Sequence, residues 1–209
     1  GLNVECIKYA DDATLVEPVF ANLPSSISLN KCMTIFQQNG LFVNKQKCKQ
    51  LHICRKVHCN ANLIDCGFAN VEFVNILGFI FTTRLSWDMH VSPILKNASR
   101  RLHVIRCLKS SLSPAELVRV YHALVTSVLC YASPAFGLLP ESLLTKMERF
   151  QRRAHRLICG QSSCDCSCFP LMSDRFEDAA VKLLLRSEAS CSHPLHRRMR
   201  KDCRPRNIS

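Results

Sequence analysis

The sequence predicts an α+β fold, in which an antiparallel β-hairpin and a helix come first and an α-helical bundle follows. The hairpin is predicted because two short runs of β-branched and apolar residues flank the acidic pair Asp11-Asp12. The bundle is predicted because apolar residues recur every three or four positions in long segments of the second half. The chain has 209 residues, 47% of them hydrophobic, which is enough to bury a core.

The acidic pair Asp11-Asp12 falls in the predicted turn, between strands that we expect to be buried. Asp is frequent in hairpin turns because its short side chain bonds to the neighbouring backbone, so a solvated turn is one interpretation. The other interpretation is a metal site, since Mg²⁺ (or Mn²⁺) binds hard oxygen ligands held on a rigid scaffold. The residues themselves leave both interpretations open.

A helix is predicted after the hairpin. Ser25-Ser26 supplies a suitable N-cap, and Gly40 is a suitable left-handed residue just past the end of the helix. Further along, Lys45, Lys47 and Lys49 alternate, as lysines do on the solvated face of a strand.

The run Asn75–Phe81 is apolar and contains Gly78, which predicts one buried strand. A glycine inside a strand suggests that another backbone or a ligand comes close at that point. Downstream of this strand, we expect Trp87 to be a packing residue and His90 to be structural.

Two helices of the bundle have clear start signals. One is predicted to begin at Ser92-Pro93, with Ser as the cap and Pro in the first turn. The next is predicted to begin at Ser113, where Glu116 completes a capping-box pattern, and to end before Pro134 and Gly137.

A third helix of the bundle is predicted from about Glu141 to Cys159, ending at Gly160. The face opposite its apolar stripe carries four arginines: Arg149, Arg152, Arg153 and Arg156. Like charges this close on one helix repel each other unless anions approach. The pattern therefore predicts a ridge that faces phosphates and binds them without sequence preference.

The positive charge of the chain is concentrated around these helices. Basic residues number 28 and acidic residues 16, and residues 96–160 hold 11 of the basic and 3 of the acidic ones. Such a segment attracts a polyanion, and nucleic acid is the most common one; a merely solvated cationic surface is the alternative.

The 14 cysteines lie mostly within apolar patterns, where a free thiol behaves as a small hydrophobe. A zinc cluster near the end of the chain is an alternative, although its spacing does not match a standard finger. Its candidate ligands are Cys159, Cys164, Cys166, Cys168, Cys191, His193 and His196. The sequence shows neither a signal peptide nor an apolar run of the ~18 residues that a membrane span needs. We therefore expect an intracellular protein, in the nucleus or cytoplasm, without a membrane partner.

Five blocks of the sequence follow one another in a suggestive order: Tyr9-Ala10-Asp11-Asp12, Gly40–Lys49, Asn75–Phe81, Leu85–Val91 and Met147–Ile158. Together they resemble the reverse transcriptase of non-LTR retrotransposons (LINE or jockey-like elements). Within them, Asn75–Phe81 resembles the Leu-Gly hairpin of that family, which lies between palm and thumb. The resemblance implies an RNA-directed DNA polymerase that uses two-metal nucleotidyl transfer. Its implied partners are an RNA template, a DNA primer duplex and a deoxynucleoside triphosphate.

The resemblance also implies a division of the chain and roles for individual residues. Residues 1–90 would be part of a palm, 91–160 a helical thumb, and 161–209 a cysteine-containing C-terminal helix with a basic tail. Asp11 and Asp12 would be catalytic metal ligands for Mg²⁺ (or Mn²⁺), and Lys47 a catalytic proton donor near the leaving pyrophosphate. The implied nucleic-acid-binding residues are Gly78, Lys96, Arg100, Arg101, Arg149, Arg152, Arg153 and Arg156.

Two-metal chemistry needs carboxylates from two separate strands. The family takes one of them from a strand well before the Tyr-Ala-Asp-Asp box, and this sequence begins shortly before that box, without the fingers. We therefore expect a fragment that is inactive by itself. Two alternatives stay open: a non-catalytic, basic nucleic-acid-binding helical module, and a zinc-dependent interaction protein.

Overall fold

The structure is a computed structural model that describes residues 5–18, 26–54, 67–160, 168–190, 193 and 195. The chain forms two compact units, Gly1–Ser86 and Trp87–Ser209. In the described ranges, the first unit contains the β-strands and one helix, and the second is helical, so the fold is mixed α and β as the sequence predicts. The last helix packs within the second unit, and the division into segments 1–90, 91–160 and 161–209 stays a prediction.

The predicted hairpin is present. Strands β1 (Glu5–Tyr9) and β2 (Asp12–Val16) pair antiparallel with Tyr9 opposite Asp12, and Ala10 has a positive φ of 52° in the turn. The expectation that these strands are buried is wrong, since Ile7 is 49% exposed and Tyr9 65% exposed. In the described part of the chain β1 and β2 pair with each other only, and a two-stranded ribbon cannot bury its own faces.

Helix α1 (Ser26–Gln38) ends as the sequence predicts. Gly40 has a φ of 70°, and its N–H donates to the carbonyl of Gln37, while the Leu41 N–H donates to the carbonyl of Phe36. These two bonds form a Schellman motif, which satisfies carbonyls that the helix end would leave unpaired.

The segment after α1 is a loop and a turn, which corrects the short strand that was expected there. Asn44 organises the turn: its Oδ1 accepts from the Gln46 N–H, and its carbonyl accepts from the Lys47 N–H, both at 3.1 Å. An Asn side chain that bonds to the backbone two residues on favours a turn over a strand. Strand β3 (Lys49–Leu51) begins only after it and pairs in parallel with β4 (Ala69–Val71).

The run Asn75–Phe81 is part of a hairpin, as the resemblance implies, and not the single strand that its composition suggests. Strands β5 (Phe73–Ile76) and β6 (Phe79–Thr82) pair antiparallel across the two-residue turn Leu77-Gly78. Both turn residues have positive φ, 51° and 82°, as a two-residue hairpin turn of type I′ requires. Gly78 is therefore needed for the turn itself.

Helix α2 (Asp88–Leu108) opens the second unit and begins before the predicted start at Ser92-Pro93, which corrects that boundary. The Trp87 carbonyl accepts from the N–H groups of His90 and Val91, which forms a helical turn ahead of Pro93. The Trp87 ring lies 5.9 Å from that of Phe136, edge to face, and His90 is buried. This packing stabilises the first turn although Pro93 lacks an N–H donor, and it confirms Trp87 and His90 as structural residues.

The remaining helices of the second unit are α3 (Pro114–Tyr121), a π-helical turn (His122–Thr126), α4 (Ser127–Leu129), a 3₁₀ helix (Ser133–Leu138), α5 (Glu141–Cys159) and α6 (Met172–Ala189). The predicted bounds of α5 are confirmed. None of the helices in the described ranges combines the length and apolarity needed to cross a membrane.

All buried hydrophobic residues in the described ranges belong to the second unit. They are Val91, Ala98, Leu102, Ile105, Leu117, Tyr121, Val125, Leu129, Phe136, Leu143, Met147, Phe150, Ala154, Ile158, Met172 and Phe176. Phe136 and Phe176 join the 3₁₀ helix to α6, with ring centroids 5.0 Å apart. The second unit thus has a core that holds its helices in place, and the described part of the first unit does not.

The predicted capping box at the start of α3 gives a direct test of this helical unit. The Ser113 N–H donates to Glu116 Oε2 at 2.8 Å, and the Ser113 hydroxyl caps the Glu116 N–H. We expect Ser113→Ala to lower the free energy of unfolding by about 1 kcal/mol, measured by urea denaturation. Ser111→Ala, in the preceding exposed turn, is the control and should change little.

The loss of stability in Ser113→Ala should also depend on pH. Hydrogen bonds from the Ser113 side chain and backbone lower the pKa of Glu116 from its ordinary value of 4.5. A carboxyl whose folded-state pKa is lowered stabilises the fold above its unfolded pKa, and this contribution is lost as the pH falls. The difference between Ser113→Ala and the wild type should therefore shrink as the pH falls below 4.5. A difference that stays constant down to acid pH would contradict the role of the ionised Glu116.

Candidate functional site

Helix α5 has two different faces. One face is buried in the core through Leu143, Met147, Phe150, Gln151, Ala154 and Ile158. The other face carries the four arginines of the predicted ridge, Arg149, Arg152, Arg153 and Arg156, and all four are exposed. Because successive residues of a helix are about 100° apart, these arginines fan across the outward half of α5.

The charges of this arginine face are not neutralised within the described part of the chain. There, the four arginines make neither an ion pair nor a hydrogen bond. Arg149, Arg152 and Arg156 line one open concavity of about 460 Å³ together with His155. Arg153 lies on the other side, where it shares a smaller concavity with His103 and Arg106 of α2. The arginine face can therefore accept anions from solvent.

Two polar residues on α5 hold the start of α6, and sequence reasoning missed both. The Gln151 side-chain amide is buried and donates to the carbonyls of Phe169, at 3.2 Å, and Pro170. Glu148 Oε1 accepts from the backbone N–H of Met172, the first residue of α6. One signal was available, because Gln151 lies on the same stripe as Met147, Phe150 and Ala154, where a polar side chain needs a partner.

An aromatic cluster supports the concavity from inside. The Phe169 ring lies 5.0 Å from the rings of both Tyr121 and His155. Burial lowers the pKa of His122, and the positive charge of Arg175 lowers it further. Burial raises the pKa of Tyr121 well above its ordinary value. His122 and Tyr121 therefore stay neutral at pH 7 and act as packing residues.

The basic residues of α2 divide into two groups. Lys96 and Arg100 are exposed, as the predicted nucleic-acid contact requires. Arg101 is partly buried, and its Nη1 donates to the Leu124 carbonyl at 2.7 Å. Leu124 lies in the π-helical turn, so this hydrogen bond links α2 to that turn and gives Arg101 a structural role. Arg106 lies beside Arg153 and joins the arginine face, although it was not among the predicted contacts.

The Asp11-Asp12 turn lies in the first unit, at the tip of the hairpin. Both carboxylates are exposed. Because side chains alternate along a strand, Asp12 shares a face of the ribbon with Tyr9 and Ile7. Within the described ranges no group of three His, Cys, Asp or Glu side chains comes together to hold a metal ion. The turn thus offers two adjacent carboxylates, which would need further ligands from water or from other groups.

Lys47 and Gly78 lie on two other turns of the first unit. Lys47 is exposed on the turn that Asn44 organises, and Gly78 is exposed in the turn between β5 and β6. The roles that the resemblance implies for them stay predictions. Most ligands of the alternative zinc cluster, including Cys164, Cys166 and Cys191, lie outside the described residues.

Comparison of the chain with protein-family models, with curated proteins and with solved structures found no match. The chemistry of the exposed arginines and carboxylates is therefore the basis for assigning a function.

Mutations on the buried and the exposed face of α5 should have different effects on stability. Gln151→Ala leaves the carbonyls of Phe169 and Pro170 without their buried donor, and we expect it to lower the free energy of unfolding by about 1–3 kcal/mol. Arg152→Ala removes an exposed charge and should change stability by less than about 0.5 kcal/mol. Both are measured by urea denaturation, and equal losses in the two variants would contradict the assignment of the two faces.

Proposed function

We propose that this chain binds a nucleic-acid duplex through the arginine face of α5, as the palm and thumb part of an RNA-directed DNA polymerase of the non-LTR retrotransposon type. The observation that carries the proposal is the set of four exposed arginines without neutralising partners in the described ranges. Guanidinium groups match phosphate oxygens in geometry and charge. A rigid helix that presents several of them in a row suits a polyanionic backbone.

The placement of the remaining basic residues supports a duplex as the ligand. Arg153 and Arg106 extend the arginine face from α5 to α2, and Lys96 and Arg100 are exposed further along α2. A surface spread over two helices suits an extended ligand better than a single small anion. Contacts of this kind go to the phosphates, so we expect affinity without sequence preference.

In the polymerase proposal, Asp11 and Asp12 bind the catalytic Mg²⁺ (or Mn²⁺), and Lys47 serves as a proton donor near the leaving pyrophosphate. Two carboxylates on a hairpin tip supply part of a site that stabilises the attacking and leaving oxygens of a phosphoryl transfer. Such a site also needs a carboxylate from another strand, and none joins the pair within the described residues. We therefore propose that this chain by itself binds duplex but does not synthesise DNA.

A second candidate function is a non-catalytic, basic nucleic-acid-binding module. It is favoured by the contrast between the two units: in the described ranges, the second unit has a buried core and the first has none. In that case the arginine face would bind nucleic acid in the same way, and Asp11 and Asp12 would be solvated turn residues. Duplex binding is common to both candidates, whereas metal binding at the turn separates them.

The arginine face predicts how duplex binding depends on salt. Each phosphate contact contributes roughly 0.9 to the slope of log K against log salt concentration. The triple variant Arg149→Ala, Arg152→Ala, Arg156→Ala should thus flatten the slope by roughly 3 and weaken binding equally for duplexes of different sequence. Fluorescence anisotropy over a range of salt concentrations measures both effects.

The matched control removes the same number of charges elsewhere in the second unit. Arg119, Lys182 and Arg186 are exposed on α3 and α6, and their triple replacement by Ala should leave the slope nearly unchanged. Equal slopes in the two triple variants would show that net charge, and not the arginine face, determines binding.

Metal binding at the hairpin tip predicts a local effect of Mn²⁺, which broadens nearby NMR signals. We expect the backbone amide signals around Asp11 and Asp12 to broaden first. The double variant Asp11→Asn, Asp12→Asn should lose this broadening. Glu72→Gln, which removes an exposed carboxylate between β4 and β5, should keep it. Absence of local broadening favours the non-catalytic module. Robust primer extension by this chain with Mg²⁺ would contradict the proposal that it does not synthesise DNA by itself.

A further inference from the structure

The smaller concavity of the second unit lies between α2 and α5, and its lining is basic. Ser99, Leu102, His103 and Arg106 reach it from one face of α2, and Arg153 reaches it from α5. Its volume is about 110 Å³. Pockets that hold a drug-sized molecule are larger, roughly 300–1,000 Å³. The concavity therefore suits one small polar group.

The two arginines of this concavity lack a neutralising partner. Within the described ranges, the side chains of Arg106 and Arg153 make neither an ion pair nor a hydrogen bond, and no carboxylate lines the concavity. The packing of α2 against α5 brings these two charges together, so helical spacing along one solvated face does not explain their proximity. Two neighbouring guanidinium groups repel each other, and an anion between them would offset that repulsion.

The rest of the lining adds hydrogen-bond donors of other kinds. His103 Nε2 lies 3.9 Å from Cys107 Sγ. In a neutral imidazole one nitrogen accepts and the other donates, so an Nε2 that accepts from the thiol leaves the Nδ1–H as a donor. The Ser99 hydroxyl is a further donor. Guanidinium, imidazole and hydroxyl groups around one small space suit a ligand that accepts from several sides at once.

A phosphate monoester has these properties. It carries three free acceptor oxygens and a charge of about −1.5 to −2 at neutral pH, which two guanidinium groups balance. A phosphate inside a nucleic-acid backbone has only two free oxygens and a single negative charge. Charge and donor number therefore favour a monoester over a backbone phosphate in the concavity.

We propose that this concavity binds a phosphate monoester, and that in the duplex complex the bound group is the terminal phosphate of a nucleic-acid strand. The second part rests on the proposed function, since it takes a duplex as the ligand of the arginine face. Arg149, Arg152 and Arg156 line the larger, open concavity on one side of α5, and Arg153 lies on the other side with Arg106. The open concavity suits the backbone, and the smaller one suits a strand end.

Inorganic phosphate tests the site by itself. At about pH 7.5 phosphate is mostly a dianion, and we expect it to shift the backbone amide NMR signals of His103, Arg106 and Arg153 beyond the effect of sodium chloride at equal ionic strength. Arg153→Ala should lose the shifts at His103 and Arg106. Arg152→Ala, which removes the neighbouring arginine outside the concavity, should keep them. Absence of local shifts, or equal shifts in both variants, would overturn the site.

The strand end is tested with one duplex, prepared with and without a terminal phosphate at either strand end and labelled internally. Fluorescence anisotropy should show about fivefold tighter binding of the phosphorylated duplex, as charge pairs at an exposed site provide. Arg152→Ala should bind both duplexes more weakly and keep this ratio. Arg106→Ala and Arg153→Ala should bring the ratio close to one.

The two measurements separate this proposal from the proposed function. If the chain binds duplex but the terminal phosphate has the same effect in Arg153→Ala as in Arg152→Ala, the strand end is overturned as the bound group. If the chain binds no duplex but shows the local phosphate shifts, the proposed function and the strand end are overturned together, and the site takes free phosphate.

Discussion

The second unit depends on the two-sided packing of helix α5. Its inward face lies in the core, where Met147 and Ala154 are fully buried. Gln151 and Glu148 hold the backbone at the start of α6. With these positions fixed, the helix has no freedom to rotate, and its arginines have to face solvent. Removing buried apolar side chains would cost several kcal/mol each, which exceeds the repulsion among exposed arginines. The core therefore determines where the positive charge lies.

Among its described residues, the first unit is organised by turns and not by a core. Schellman bonds at Gly40, the Asn44 turn and the two-residue turn at Leu77-Gly78 set the path of the backbone. Its hairpin tip presents Asp11 and Asp12 to solvent, while Ile7 and Tyr9 are exposed on the ribbon. Exposed apolar side chains around two carboxylates are what a ribbon would show if further protein covers it in the working state.

Helix caps and stop signals in the sequence predicted where individual helices begin or end. The capping pattern at Ser113 predicted the start of α3, and Gly160 predicted the end of α5. The single helix predicted from Ser113 to just before Pro134 is instead interrupted by the π-helical turn His122–Thr126. Prediction failed where tertiary packing overrode a local rule. Pro93 suggested a helix start, but the burial of His90 and the packing of Trp87 stabilise a turn before it.

The candidate site could also be predicted in part from the sequence. The arginine face followed from helical spacing, because its members are exposed and the opposite positions are apolar. The hydrogen bond from Arg101 to the Leu124 carbonyl could not be predicted, because it depends on how α2 packs against the π-helical turn.

The central claim is that the arginine face of α5 contacts the phosphates of a duplex. Chemical modification of arginine with phenylglyoxal, mapped by mass spectrometry with and without bound duplex, tests it most directly. Bound duplex should protect Arg149, Arg152 and Arg156, while Arg119 and Arg186 react equally in both states. Unchanged modification of the three α5 arginines under conditions where the duplex is bound would contradict the account.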